Sequence, residues 1–106
     1  MDAFEIADVE ARRAAAGRLY EEFLRVDSMS AGLYVLEPGA TDPQTPHAED
    51  EVYYVVAGRA EIDVAGETRP VQQGSVIFVG KGVEHRFHTI TERLELLVLF
   101  APAESS

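Results

Sequence analysis

Two glycine-bounded segments, each carrying one histidine beside a turn, constrain this chain more than any other feature. The first runs from Gly39 through Pro43, Gln44, Thr45, Pro46, His47, Glu49 and Glu51, then through the apolar stretch Val52–Ala57 to Gly58. The second runs from Gly74 through Val76, Phe78, Gly80 and Gly82 to His85. β-Branched and aromatic runs punctuated by glycine read as strands joined by turns. Two imidazoles and a carboxylate drawn from such segments can hold a divalent cation with coordination positions left open. The expectation is a small β-barrel with a metal-competent pocket.

Length and charge narrow the partners. A chain of 106 residues predicts one domain, spanning 1–106, with a small core. We read residues 1–26 as a helix-and-strand extension and 27–101 as the barrel. The net charge of −10 would repel a phosphate polymer, which argues against nucleic acid and anionic membranes as partners. The most apolar stretch, Leu94 to Pro102, includes Glu95 and is too short to span a bilayer. Without cysteine there is neither disulfide nor thiolate ligand. With no secretory leader in view, the expected location is the cytoplasm.

Residues 7–16 predict a short helix, with Asp8 capping its start and Gly17 stopping it. Residues 18–25 fit either a half-buried strand or an extension of that helix. From Met29 onward strands are expected over 29–37, 51–56, 59–64, 68–71, 75–79, 84–90 and 92–101, with a hairpin at Ala65-Gly66. In the 84–90 strand, alternation places His85, Phe87 and Thr89 on one face and Arg86, His88 and Ile90 on the other. The tail Glu104-Ser-Ser is expected to fray. Leu94–Phe100 is apolar on both faces, as is Val52–Val56, so both faces need cover. That cover is the N-terminal segment or a second subunit, and we expect a homodimer.

These segments resemble the motifs of the cupin family. His47, three residues, Glu51, six residues and Gly58 match the latter part of its first motif, and Gly74, Gly82 and His85 match its second. The first histidine of the family's pair falls at Thr45, the spacer after Gly39 is longer, Gly80 replaces a proline, and Thr89 replaces an asparagine. The resemblance implies an all-β double-stranded β-helix, a jelly-roll-like barrel preceded here by a short helix. It implies inward metal ligands at His47, Glu51 and His85, for iron, manganese, nickel or zinc.

Strand alternation supports that set: Glu51 shares a face with Tyr53 and Val55, and His85 with Phe87. Thr45, Gln44 and Glu49 are the candidates for a further ligand, with Glu49 read as solvated in an ordinary turn and water as the leading occupant. Tyr53, Phe87 and Tyr34 are candidate pocket residues that serve equally as core. His88, Arg59 and Arg86 read as surface. Each histidine alone could simply be satisfied by a hydrogen bond within the barrel; the joint spacing points to metal. Two functions fit: a metal-dependent enzyme on a small organic substrate, dioxygenase- or isomerase-like, or a non-catalytic module that binds a small ligand or metal.

Overall fold

The computed structural model describes residues 1–43 and 45–105. Helix α1 spans Ile6–Ala16, and six strands follow: β1 Tyr20–Val26, β2 Met29–Leu36, β3 Asp50–Val64, β4 Glu67–Gln72, β5 Val76–Val79 and β6 His85–Ala101. They form one antiparallel sheet in the order β1-β2-β6-β3-β4, with β5 also paired to β3. β3 pairs with β5 through Glu51–Tyr54 and with β4 through Arg59–Val64, while β6 runs along its other edge. That shared pairing curls the sheet into a barrel, the double-stranded β-helix expected from the motifs.

Several local expectations change. The helix begins after Glu5, whose side chain makes no cap, and Asp8 lies within the first turn, where its charge suits the helix dipole. Gly17 ends the helix as expected, at φ 68°. Residues 20–26 are strand, kinked by a bulge between Glu22 and Leu24. Ala65 and Gly66 both adopt positive φ, at 51° and 85°, and form the tight loop of the β3–β4 hairpin.

The pairs of strands expected over 51–56 and 59–64, and over 84–90 and 92–101, are two long strands, β3 and β6. Gly58 takes φ 102° and Thr89 φ 50°, so each position bends a strand instead of ending it. The bend at Thr89 also reverses the alternation: Thr89 is exposed and Ile90 is buried.

The barrel interior is one apolar cluster built on Tyr53, Val55, Ile62, Phe87, Leu94 and Leu96, among others. A second cluster lies outside, where Val9 of α1 packs on Leu33 and Val35 of β2. The helix therefore covers the outer face of β1 and β2. Farther along the sheet, Tyr54, Val76 and Phe78 stay 40%, 66% and 63% exposed, with Tyr54 paired to Val76 and Val52 to Phe78.

Candidate metal centre

Three backbone features bring the two motif halves together. The loop between β2 and β3 is anchored by Asp42, a buried carboxylate that accepts hydrogen bonds from the Tyr34 hydroxyl at 2.6 Å and from the Phe87 amide at 3.0 Å. The Gly82 amide donates to the His47 carbonyl at 2.7 Å, tying that loop to the turn before His85. The Lys81 amide donates to Asp50 at 3.0 Å, at the start of β3. Glu51 then enters the barrel on β3, where it pairs directly with Val79 of β5.

The result is a cluster in which one donor atom from each of His47, Glu51 and His85 lies within 4.8 Å of the others. His47 is half-buried and comes from the loop rather than from a neighbouring strand, while Glu51 and His85 are buried. His85 Nδ1 lies 3.0 Å from the Val83 carbonyl. A carbonyl can only accept, so Nδ1 carries the proton and the neutral ring keeps its lone pair on Nε2. Nε2 faces the Tyr53 hydroxyl at 3.0 Å and Glu51 Oε1 at 3.3 Å. Burial pulls the His85 pKa down, but the contact with Glu51, the Val83 carbonyl and the charges of Glu51 and Asp42 outweigh it, and the net shift is upward.

Glu51 itself is the least satisfied group in the centre. It is 1% exposed, and neither oxygen accepts a hydrogen bond of good geometry from a described residue. The 3.3 Å approach to His85 Nε2 is an ion pair only when that ring is protonated. Burying a carboxylate this way is costly unless a cation balances it. The donor set, two imidazoles and one carboxylate, suits a divalent transition metal, so the residues fit the group that the motifs imply.

The other expected residues fall on both sides of the centre. Tyr53 touches His85, and Phe87 packs edge-on to Tyr53 at 4.9 Å within the core. Tyr34 lines a cavity of about 120 Å³ that also borders His47 and Glu51. A larger groove of about 490 Å³ reaches the centre only through His85; Thr45 stands exposed on its wall. The small cavity, which touches two residues of the cluster, is the better candidate for a ligand. Glu49 is not solvated: it is 4% exposed, and its Oε2 accepts from the Ser105 hydroxyl at 2.6 Å. It stands apart from the metal cluster. Gln44 lies outside the described residues.

Nor does the tail fray through Ser105. The Glu104 amide donates to Ser30 Oγ at 2.9 Å, Arg25 donates to the Glu104 carbonyl, and Glu104 Oε2 sits 3.4 Å from His47 Nδ1. Burial pushes the Glu104 carboxyl up, against the pull of His47. Asp42, Glu104 and Tyr20, which also lines the cavity, were not singled out from the sequence. Asp42 sits in the long spacer after Gly39 and carried a faint signal, a carboxylate between apolar strands. The other two carried none.

A family model described as a cupin domain matches residues 32–101. The chain is a cupin. Over 105 residues this cupin is 54% identical to an uncharacterized protein of Streptomyces coelicolor, covering 99% of this chain and 100% of that one. KdgF from Halomonas sp. superposes with a TM-score of 0.72 at 21% identity, covering 78% of this chain and 76% of that one. The Cnp3 cupin domain of Schizosaccharomyces pombe superposes with a TM-score of 0.72 at 20% identity, over 78% of this chain, which spans 63% of that one. The last two likenesses speak to the fold. None of the described helices is long and apolar enough to cross a membrane.

The Asp42 anchor supplies a first prediction for this cupin. Asp42→Ala strips the Tyr34 hydroxyl and the Phe87 amide of a buried acceptor and is expected to cost about 3 kcal/mol. Urea unfolding followed by circular dichroism measures it. A midpoint equal to that of the unaltered protein would show that Asp42 does not hold the loop.

Proposed function

We propose that this cupin holds a divalent metal through His47, Glu51 and His85 and binds a small organic molecule in the adjoining cavity. One observation carries the reading: Glu51, buried within reach of two imidazoles, has no hydrogen-bond donor among the described residues for either oxygen. A cation there would balance the carboxylate and use both neutral rings. When bound, it supplies Lewis acidity to an oxygen of the organic molecule.

The chain's own groups do the rest. The Val83 carbonyl holds the proton on His85 Nδ1 and so aims the Nε2 lone pair inward. Without a cation that lone pair accepts from the Tyr53 hydroxyl at 3.0 Å; a bound cation would take its place. Glu104 faces His47 Nδ1 and favours the tautomer whose free lone pair is on Nε2. The Phe100 ring, 4.8 Å from the His47 ring, restricts its rotation and screens it.

The test is a thermal-shift series on chelator-treated protein with iron(II), manganese(II), nickel(II) and zinc(II). A cation present at about 100 times its Kd contributes about 2.7 kcal/mol, which raises the Tm of a domain this size by about 10 °C or more. No shift with any of the four would remove the reading. The exposure of Thr45, at the position of the family's additional histidine, favours a second reading in which ligand is bound without turnover. Metal-loaded protein that binds small molecules yet converts none would support it.

We also propose a homodimer through the outer face of β3 and β5, which α1 leaves uncovered. Val76, Phe78 and Tyr54 leave a contiguous apolar surface exposed there, the kind of surface that a second subunit covers. Sedimentation equilibrium is expected to give twice the chain mass, and Phe78→Glu is expected to give a folded monomer. A monomeric parent protein would end this proposal.

A further inference from the structure

The cavity beside the cluster is completed by two residues outside the matched segment 32–101, Tyr20 of β1 and Glu104 of the tail. Tyr20 reaches it by lying across the backbone of β2. Gly32 makes room: a Cβ there would fall 2.2 Å from the Tyr20 ring and 2.3 Å from its hydroxyl oxygen. The ring then meets Tyr34 and Phe100 edge-on, each at 6.4 Å. Its hydroxyl ends sealed from solvent with no hydrogen-bond partner among the described residues.

A hydroxyl buried this way costs about 1–3 kcal/mol. Phenylalanine would fill the same space without that cost, so the oxygen calls for a use other than packing. Burial, then the charges of Glu104, Glu22 and Glu51, push the phenol up, which keeps it protonated and a donor.

The walls state what it can donate to. About 120 Å³ holds roughly four waters at about 30 Å³ each, or one molecule of similar bulk. Val98 and Phe100 offer apolar surface. Among the described lining residues there is no lysine or arginine, but there are two carboxylates, Glu51 and Glu104. An anion would meet like charge and neither lysine nor arginine among the described lining residues.

We infer that this cavity receives a small neutral molecule bearing a carbonyl or hydroxyl oxygen, and that the Tyr20 hydroxyl is the hydrogen-bond donor to that oxygen. The inference rests on the proposed reading of this cavity as the ligand pocket, and not on a metal being bound.

Acetamide and acetate are a matched pair of probes, nearly equal in size and different in charge. Each is titrated by NMR into metal-free full-length protein, and acetamide also into zinc-treated protein, alongside Tyr20→Phe. Acetamide is expected to shift the Tyr34 and Phe100 ring signals saturably and to bind more tightly than acetate. Tyr20→Phe is expected to weaken acetamide about tenfold while its Tm stays equal or rises, which separates lost donation from lost folding. Acetate binding as well as acetamide, unchanged affinity in Tyr20→Phe, or no saturable shift with acetamide would each overturn the inference. Zinc uptake is scored on the same samples. Uptake without a Tyr20-dependent acetamide response defeats this inference alone, and the reverse pattern defeats the metal reading alone.

Discussion

Glu51→Gln is expected to abolish tight metal binding and, in the metal-free protein, to raise stability. The two effects have one cause. The carboxylate is 1% exposed and poorly hydrogen-bonded, so it destabilises the empty fold and rewards a cation. An amide of the same shape removes the charge and much of the affinity. Loss of an outer partner of a metal site already costs about 10–100-fold, so loss of this direct ligand is expected to cost at least about 100-fold. The gain in metal-free stability is expected to be about 1–2 kcal/mol.

That gain should depend on pH. The His85 pKa is raised in the folded protein, so its imidazolium contributes stability fully below the unfolded value near 6.5 and loses it as pH rises through the folded value. Below that value Glu51 has a cationic neighbour; above it, the carboxylate stands uncompensated. The advantage of Glu51→Gln in metal-free protein is therefore larger at about pH 9 than at about pH 6. Melting curves at both pH values and a zinc titration read all three outcomes. Retained zinc affinity, or a lower Tm for the variant at the higher pH, would contradict the account.

Gly58→Ala is the second large effect, and it concerns the fold. Gly58 adopts φ 102°, and a Cβ there would sit 2.1 Å from the Arg93 carbonyl oxygen and 2.7 Å from Leu94 Cα. Both atoms belong to the backbone of β6, which cannot swing aside as a side chain can. Conformational strain of about 1–3 kcal/mol and overpacking of about 1–3 kcal/mol together predict a loss near 4 kcal/mol. For a domain with about 5–15 kcal/mol in all, that is a large share. Gly66→Ala is the control. It has positive φ, at 85°, but nothing within 4 Å of the added Cβ, so it is expected to lose only about 1 kcal/mol. Urea midpoints for the two variants measure the difference. A Gly58→Ala protein as stable as Gly66→Ala would show that the close approach to β6 does not matter.

The inner face of the barrel was legible because strands alternate. Glu51, Tyr53 and Val55 are buried together, as are His85 and Phe87, where period-two reading placed them. The same rule failed four residues beyond His85, where Thr89 at φ 50° turns outward and Ile90 takes the interior. One bulge flips every side chain after it, and nothing local in Thr89 announces that conformation. Gly58 shows the complementary limit: its glycine was visible, but whether it ends a strand or bends one depends on β6 lying alongside.

Glu49 gives the other kind of miss. Ala48-Glu49-Asp50 looks like a solvated turn, yet Glu49 is buried and its hydrogen-bond partner is Ser105, far away in sequence. Tyr20 and Glu104 likewise close the cavity from opposite ends of the chain.

Short-range pattern, then, determined the family, the barrel and the inward placement of Glu51 and His85, because glycine spacing and strand alternation are local properties of the backbone. Only the tertiary structure decided how the cavity is walled and how far the helix reaches across the outer sheet. Those depend on which distant segments come into contact, and a contact between residues far apart in the chain leaves no mark in the sequence around either one.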